Sequence, residues 1–184
     1  MQHFARFASW AFGLSLVGLS FFVALETICR KFFGFSFEGA DELGGYVLAI
    51  GSSLAFTVAL VDRAHVRIDF LHRKLPATVR AFLDWLAIVS LALFGVFLAY
   101  VGYFVVSDTI TYGSVAPTPW ATPIIYPQGG WYAGYILFAV VSCGLALYAT
   151  GLLLRGRLGE LSEQFDPMGV DDEVKEELDN VQVR

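Results

Sequence analysis

The sequence carries little charge and few residues of the kinds that build soluble active sites. Only 16% of its 184 residues are Asp, Glu, Lys or Arg, against about 25% in a typical soluble domain. It has two cysteines, Cys29 and Cys143, too few for a secreted domain stapled by several disulfides. Apolar residues make up 57% of the chain. This balance excludes a disordered chain and argues against a water-soluble enzyme.

The charge that is present is divided unevenly along the chain. Residues 160–184 hold nine acidic and two basic residues, whereas residues 1–159 hold eight acidic and ten basic ones. The sequence therefore predicts a nearly neutral domain over 1–159 and an acidic tail over 160–184. The domain has no cationic stripe of the kind that binds nucleic acid, so no such partner is expected.

Long apolar stretches fill the domain. A membrane-spanning helix needs about 20 mostly apolar residues, and four stretches meet that length. The fourth lies in a run of 46 uncharged residues, 109–154, whose first part contains four prolines that would interrupt a helix. The sequence predicts an all-α membrane protein, a bundle of four transmembrane helices near 8–29, 43–62, 82–106 and 130–154.

The first span is not expected to be a cleaved signal peptide. Its apolar core is longer than the usual stretch of about 7–15 residues, and no small-residue cleavage site follows it. Lys and Arg flanks remain on the cytoplasmic side of a membrane. With four spans, one side carries eight of these residues and the other carries only Arg30 and Lys31. Both termini and the 63–80 loop are therefore predicted to be cytoplasmic.

No motif for catalysis or for a cofactor is found. The three histidines, His3, His65 and His72, lie outside the predicted spans, which excludes a transmembrane haem. His65, Asp69 and His72 share one face of a helix and could hold a metal, but their charged surroundings favour a solvated face. No P-loop and no hydrolase or metalloprotease motif is present.

The middle of each predicted span lacks an ionisable residue. Buried charges mark the ion paths of membrane carriers, so the chain lacks the polar core that a carrier needs. Small residues instead recur every four positions, a pattern that allows close helix packing but that is also common in any membrane span. These stripes are Gly51, Ala55 and Ala59, then Gly95 and Ala99, then Ser142, Ala146 and Thr150.

Polar residues follow a specific order between positions 26 and 76, and a proline-rich segment precedes the last span. The first set is Glu26, Arg30, Gly34, Ser36, Asp41, Glu42, Tyr46, His65, Arg67, Asp69 and Pro76, and the second is Pro117, Pro119, Trp120, Pro123, Tyr126 and Pro127. Together they resemble the small membrane subunit, of the DctQ type, of tripartite ATP-independent periplasmic (TRAP) transporters. The resemblance covers about residues 8–155.

That resemblance implies a non-enzymatic role in the bacterial inner membrane. A periplasmic binding protein would capture an organic acid, and a large membrane subunit would import it by symport along a sodium gradient. This chain would be the scaffold and partner of the large subunit and would contact membrane lipid. Two alternatives remain open: a stand-alone four-helix channel or carrier acting as a homo-oligomer, and a small membrane enzyme.

Three local expectations follow for the structure. Glu26, Arg30, Asp41 and Glu42 should cluster at the outer rim, either paired or solvated. Residues 109–129 should be ordered and non-helical, with Trp120 and Tyr126 packed on this chain or on a partner. The tail should form a short amphipathic helix near 170–181 or remain disordered.

Overall fold

The computed structural model describes residues 2–61 and 75–165. Within them, α1 continues into a π-helical turn over Cys29–Phe33, and four helices are long and apolar enough to cross a membrane, which confirms the predicted fold class. The helices are α1 (Gln2–Ile28), α2 (Ala40–Val61), α3 (Ala77–Tyr112), α4 (Ile125–Leu154) and α5 (Leu158–Phe165).

The third helix is longer than its apolar stretch. Its 36 residues give a length of about 54 Å at 1.5 Å per residue, whereas the hydrocarbon core of a bilayer is about 30 Å thick. The sequence predicted a span over 82–106, because hydropathy detects the apolar centre of a helix and not its polar ends. α3 therefore either tilts in the membrane or projects beyond it.

The fourth helix begins five residues before its predicted start. Pro127 is its third residue, where a backbone N–H would have no acceptor within the helix, so a proline there removes no hydrogen bond. Pro117, Pro119 and Pro123 lie in an irregular segment, as expected. That segment covers only 113–124, so the prediction that all of 109–129 would be non-helical is wrong at both ends.

The helices pack as a row. α4 packs on both α2 and α3, α1 packs extensively on α2 alone, and α5 packs mainly on α3. Among the described helices the order across the row is thus α1, α2, α4, α3 and α5. In this order each described helix contacts its neighbours in the row, and α5 also contacts α4.

Small residues bring α4 close to both of its neighbours. A Cβ atom added to Gly134 would lie 2.8 Å from Ser53 Cβ, and one added to Gly95 would lie 3.1 Å from Ala139 Cα. The buried hydroxyls at these contacts bond to their own helices: Ser53 Oγ donates to Ile50 O at 2.8 Å. The small residues therefore permit close packing without forming a polar path across the membrane.

The small-residue stripes were predicted correctly in part. Gly95 and Ser142 are buried against each other's helices. On α2, however, Gly51 is covered by the Phe12 ring of α1 while Ala55 is exposed. The buried positions nearer α4 are Ser53, Thr57 and Leu60.

The start of the acidic tail belongs to the packed domain. Leu161 of α5 is fully buried and joins a cluster with Ala81 and Ile88 of α3. An ion pair of 2.7 Å joins Arg157 to Glu160 at the beginning of this helix. The predicted boundary at 159 thus falls inside α5, and the amphipathic segment predicted near 170–181 lies outside the described residues.

Asp84 lies near the start of α3, two residues after the start of the predicted third span. Its side chain is fully buried in α3, on the face that also carries Ala81 and Ile88. Residues three and four apart share one face of a helix, and this face is the one that α3 buries. The distance to the helix end was known from the sequence, but the direction of the side chain was not.

We expect Gly134→Ala to destabilise the domain by about 1–3 kcal/mol, the usual cost of overpacking. The added methyl would meet the Cβ and backbone of Ser53, which cannot rotate away. Gly144→Ala on the same helix is the matched control, because no atom lies within 4 Å of its added Cβ. Unfolding in mixed micelles with increasing SDS measures both variants. Equal stability of the two would contradict the close contact.

Candidate functional site: the rim formed by two loops

Two loops meet on one side of the domain, where α1 and α3 end and α2 and α4 begin. The α1–α2 loop, 34–39, and the α3–α4 loop, 113–124, together form what we call the rim. The Nε1–H of Trp120 donates to the Phe37 carbonyl at 3.0 Å. The Trp120 ring also lies so close to Gly39 that it would overlap a Cβ atom added there. A larger residue at Gly39 would therefore separate the loops.

The sequence of the α3–α4 loop explains its shape. Ala116 N–H donates to Thr122 O at 2.9 Å and Ile124 N–H donates to Ser114 O at 3.1 Å, so the loop folds back on itself. A β-turn closes it, with Ala121 N–H donating to Thr118 O at 2.9 Å. Pro119 occupies the second position of this turn, which its restricted φ favours. The result is an ordered projection that carries Thr118 and Trp120.

Glu42 lies at the centre of the rim. It is buried near the beginning of α2, where a carboxylate interacts favourably with the helix N-terminus. Tyr46 Oη donates to its Oε1 at 2.8 Å, the Thr118 hydroxyl donates to its Oε2, and the Thr122 side chain also bonds to it. Hydroxyls from α2 and from the α3–α4 loop thus share one carboxylate.

A second buried carboxylate anchors the other loop. Ser36 Oγ donates to Glu26 Oε1 at 3.0 Å, and Ser36 Oγ in turn accepts from the Glu38 N–H at 3.1 Å. Glu38 adopts a left-handed conformation with φ of 56°. Glu26 therefore ties the end of α1 to the loop that leads into α2.

The four predicted charges lie toward the same end of the membrane domain, but they do not pair with one another. Within 2–61 and 75–165, no ion pair joins any two of these four residues, whereas Arg157 and Glu160 do form one. The Glu26 and Glu42 carboxylates are bonded to hydroxyls, whereas Arg30 and Asp41 are exposed. The pairing expected within the chain is thus not seen in 2–61 and 75–165, and pairing with a partner remains a prediction.

The two aromatic residues predicted as loop contacts differ in their surroundings. Trp120 is 46% exposed and packs on its own chain through Phe37 and Gly39. Tyr126 is 73% exposed and Tyr112, at the end of α3, is 80% exposed. Trp120 therefore has a structural role within the rim, while the two tyrosines are available to an outside contact.

Sequence reasoning missed Thr118, which is separated from Glu42 by 76 positions. The signal available in the sequence was weak, because it consisted only of two threonines in an uncharged loop and a glutamate near the start of a predicted helix. His65, Arg67 and Asp69, also predicted as motif residues, lie outside the described residues. Among 2–61 and 75–165, no group of three His, Cys, Asp or Glu side chains could hold a metal ion.

Comparison with known proteins decides the family. The family model described as "Tripartite ATP-independent periplasmic transporters, DctQ component" matches residues 19–150. The chain belongs to this family. No curated protein and no solved structure matches it.

The match covers the rim and most of the membrane domain. As a DctQ component, the chain is the small membrane subunit of a TRAP transporter, a multi-pass membrane protein and not an enzyme. The matched region includes Glu26, Glu42 and Trp120, but it ends before α5 and the acidic tail. The rim therefore belongs to the part of the chain that the family shares.

We expect Glu42→Gln to loosen the rim and to destabilise the DctQ subunit by about 1–3 kcal/mol, because hydrogen bonds to a charged group are stronger than those to an amide. Asp41→Asn is the matched control, because it removes the same charge one residue away and because Asp41 is exposed. Protease cleavage within 113–124 and the thermal midpoint measure the effect. A stability loss in Asp41→Asn as large as that in Glu42→Gln would show that charge alone matters.

Proposed function

We propose that this DctQ subunit is the scaffold of a TRAP importer for an organic acid and does not itself carry the substrate. Its partners are the large translocating subunit, which uses the sodium gradient, and the periplasmic binding protein that selects the substrate. The complex resides in the bacterial inner membrane. In this proposal both termini and the 63–80 loop are cytoplasmic, and the rim faces the periplasm.

The observation that carries this proposal is the packing of the helices in a row. A carrier needs polar groups around an enclosed site near the middle of the membrane. The described helices instead pack side by side in a row, and the buried hydroxyls of Ser53 and Ser142 donate to carbonyls of their own helices. A wall of this kind is suited to support another protein along one of its broad faces.

The exposed aromatic residues beside the rim support a periplasmic contact. Tyr112 and Tyr126 are largely exposed although the adjoining loop is ordered by its own hydrogen bonds. Aromatic residues are enriched at the centres of protein interfaces. The rim would thus present a rigid surface to the large subunit or to the docked binding protein.

We expect transport to require this chain, while no single acidic residue of it sets substrate or ion specificity. Glu26, Asp41, Glu42, Asp84 and Asp108 are each replaced by alanine in a transporter reconstituted with the large subunit and the binding protein. Assembly is measured by copurification, and transport by uptake of radiolabelled substrate with the sodium stoichiometry. Lower assembly is compatible with a scaffold. A changed stoichiometry or substrate preference in an assembled variant would overturn the proposal.

We expect a cysteine at position 73 to be protected from a membrane-impermeant thiol reagent in intact cells with a permeabilised outer membrane. The reason is the excess of Lys and Arg on that side of the membrane. Cys29 and Cys143 are first replaced by serine, and Tyr112→Cys serves as the positive control because its side chain is exposed beside the rim. Labelling of position 73 but not of position 112 would reverse the proposed orientation.

A further inference from the structure

The end of α1 carries two cations beside three exposed phenylalanines. Arg30 and Lys31 lie in the π-helical turn Cys29–Phe33, and both are exposed. Phe32 is 73% exposed, Phe33 is 78% exposed and Phe35 is 56% exposed. Lys31 Nζ lies 6.0 Å from the centre of the Phe32 ring. Neither the packing of the domain nor the proposed scaffold role accounts for this patch.

The cations are not neutralised within the described chain. The nearest acidic residues in sequence are Glu26, which is buried and bonded to Ser36, and Glu38 and Asp41, which are exposed. In 2–61 and 75–165, none of these carboxylates forms an ion pair with Arg30 or Lys31. The patch therefore has two unpaired positive charges on an apolar base.

The position of the patch along α1 matches the level of lipid headgroups. The apolar span begins at Ser9, and Arg30 lies about 32 Å further along the helix at 1.5 Å per residue. The hydrocarbon core is about 30 Å thick. Arg30 and Lys31 would then lie beside the lipid phosphates, and Phe32 and Phe33, which follow them on the same helix, would lie at the level of the headgroups.

The position of α1 in the row leaves this patch open to the bilayer. α1 is the outermost helix and packs extensively on α2 alone among the described helices. Of the four spans it is the least buried, with 6% of its most apolar window covered. Lipid can therefore reach the patch without displacing another described helix.

We infer that Arg30 and Lys31 form a binding site for the phosphate of an anionic membrane lipid, with the exposed rings of Phe32, Phe33 and Phe35 beside its headgroup. A guanidinium binds phosphate through two parallel hydrogen bonds, and an ammonium adds a compact charge. Lipid is favoured over an acidic protein partner because the cations lie on apolar, aromatic surface at the depth of the headgroups. The site would hold the free edge of the wall at a defined depth.

Native mass spectrometry of the purified full chain tests this site. The chain is titrated in detergent with phosphatidylglycerol and, separately, with phosphatidylcholine. We expect Arg30→Gln combined with Lys31→Gln to weaken phosphatidylglycerol binding about twenty- to thirtyfold, since each cation near an anionic surface contributes a factor of about five. The exchange Arg30→Lys with Lys31→Arg should keep most of the affinity, and phosphatidylcholine binding should change little.

The matched control removes two cations at the opposite end of the domain, Arg155→Gln with Arg157→Gln. It should leave the tight phosphatidylglycerol site intact, and thermal midpoints identify any variant that has failed to fold. Phe33→Ser, which keeps both charges, should weaken the same site less than the charge variant does. Excess inorganic phosphate should not displace the lipid; displacement would assign the site to free phosphate.

Three results would overturn the inference. The charge variant at 30 and 31 could bind phosphatidylglycerol as tightly as the unmodified chain. Both charge variants could lose affinity equally, which would indicate attraction without a site. The charge variant could instead lose copurification with the large subunit while its lipid binding stays the same, which would assign the patch to a protein interface. None of these results depends on which subunit carries the substrate, so the proposed scaffold role is tested separately.

Discussion

The close approach of α4 to its two neighbours is the contact on which the rest of the domain depends. In a bilayer, lipid chains are as apolar as the side chains they surround, so helices associate through close packing more than through burial from water. At these two contacts, Gly134 on α4 and Gly95 on α3 have no side chain, so the neighbouring helix can approach closely. α1 is attached through α2, and α5 is attached mainly through α3. The order of the row thus follows from where α4 offers and receives small residues.

The rim provides hydrogen bonds for the backbone of the loops that connect the helices. Loop backbone groups cannot remain unbonded where water is scarce, since each costs several kcal/mol in hydrocarbon. The α3–α4 loop bonds to itself through Ala116 and Ile124 and then reaches Glu42 and Phe37 through its side chains. Apart from these bonds, α1, α2 and α4 contact one another side by side. The bonds also hold the α3–α4 loop against the start of α2. One buried carboxylate therefore connects helices that are not adjacent in sequence.

The sequence was sufficient for the number and rough position of the spans, since a 20-residue apolar stretch has few other uses. It was not sufficient for the helix ends: Pro127 suggested a later start for α4, although a proline in a first turn removes no hydrogen bond. Nor could it give direction around a helix, and it therefore did not show that Asp84, near the start of α3, is fully buried. The partner of Glu42 was missed for a further reason. Thr118 comes from a loop 76 residues away, and only the order of helices in the row brings the two together.

An open row is a costly shape for an isolated membrane protein, because both broad faces must be covered by lipid or by another protein. If the chain acts as the proposed scaffold, this shape serves the contact with a larger assembly. A single layer of helices presents a long surface at small cost in chain length, and its rigidity comes from two devices, the small-residue contacts of α4 and the hydrogen bonds of the rim. The edge helix α1 has neither device along most of its length. A depth-setting contact between Arg30, Lys31 and lipid phosphate would supply the missing constraint there, so that the whole layer is held by its centre, its rim and its edge.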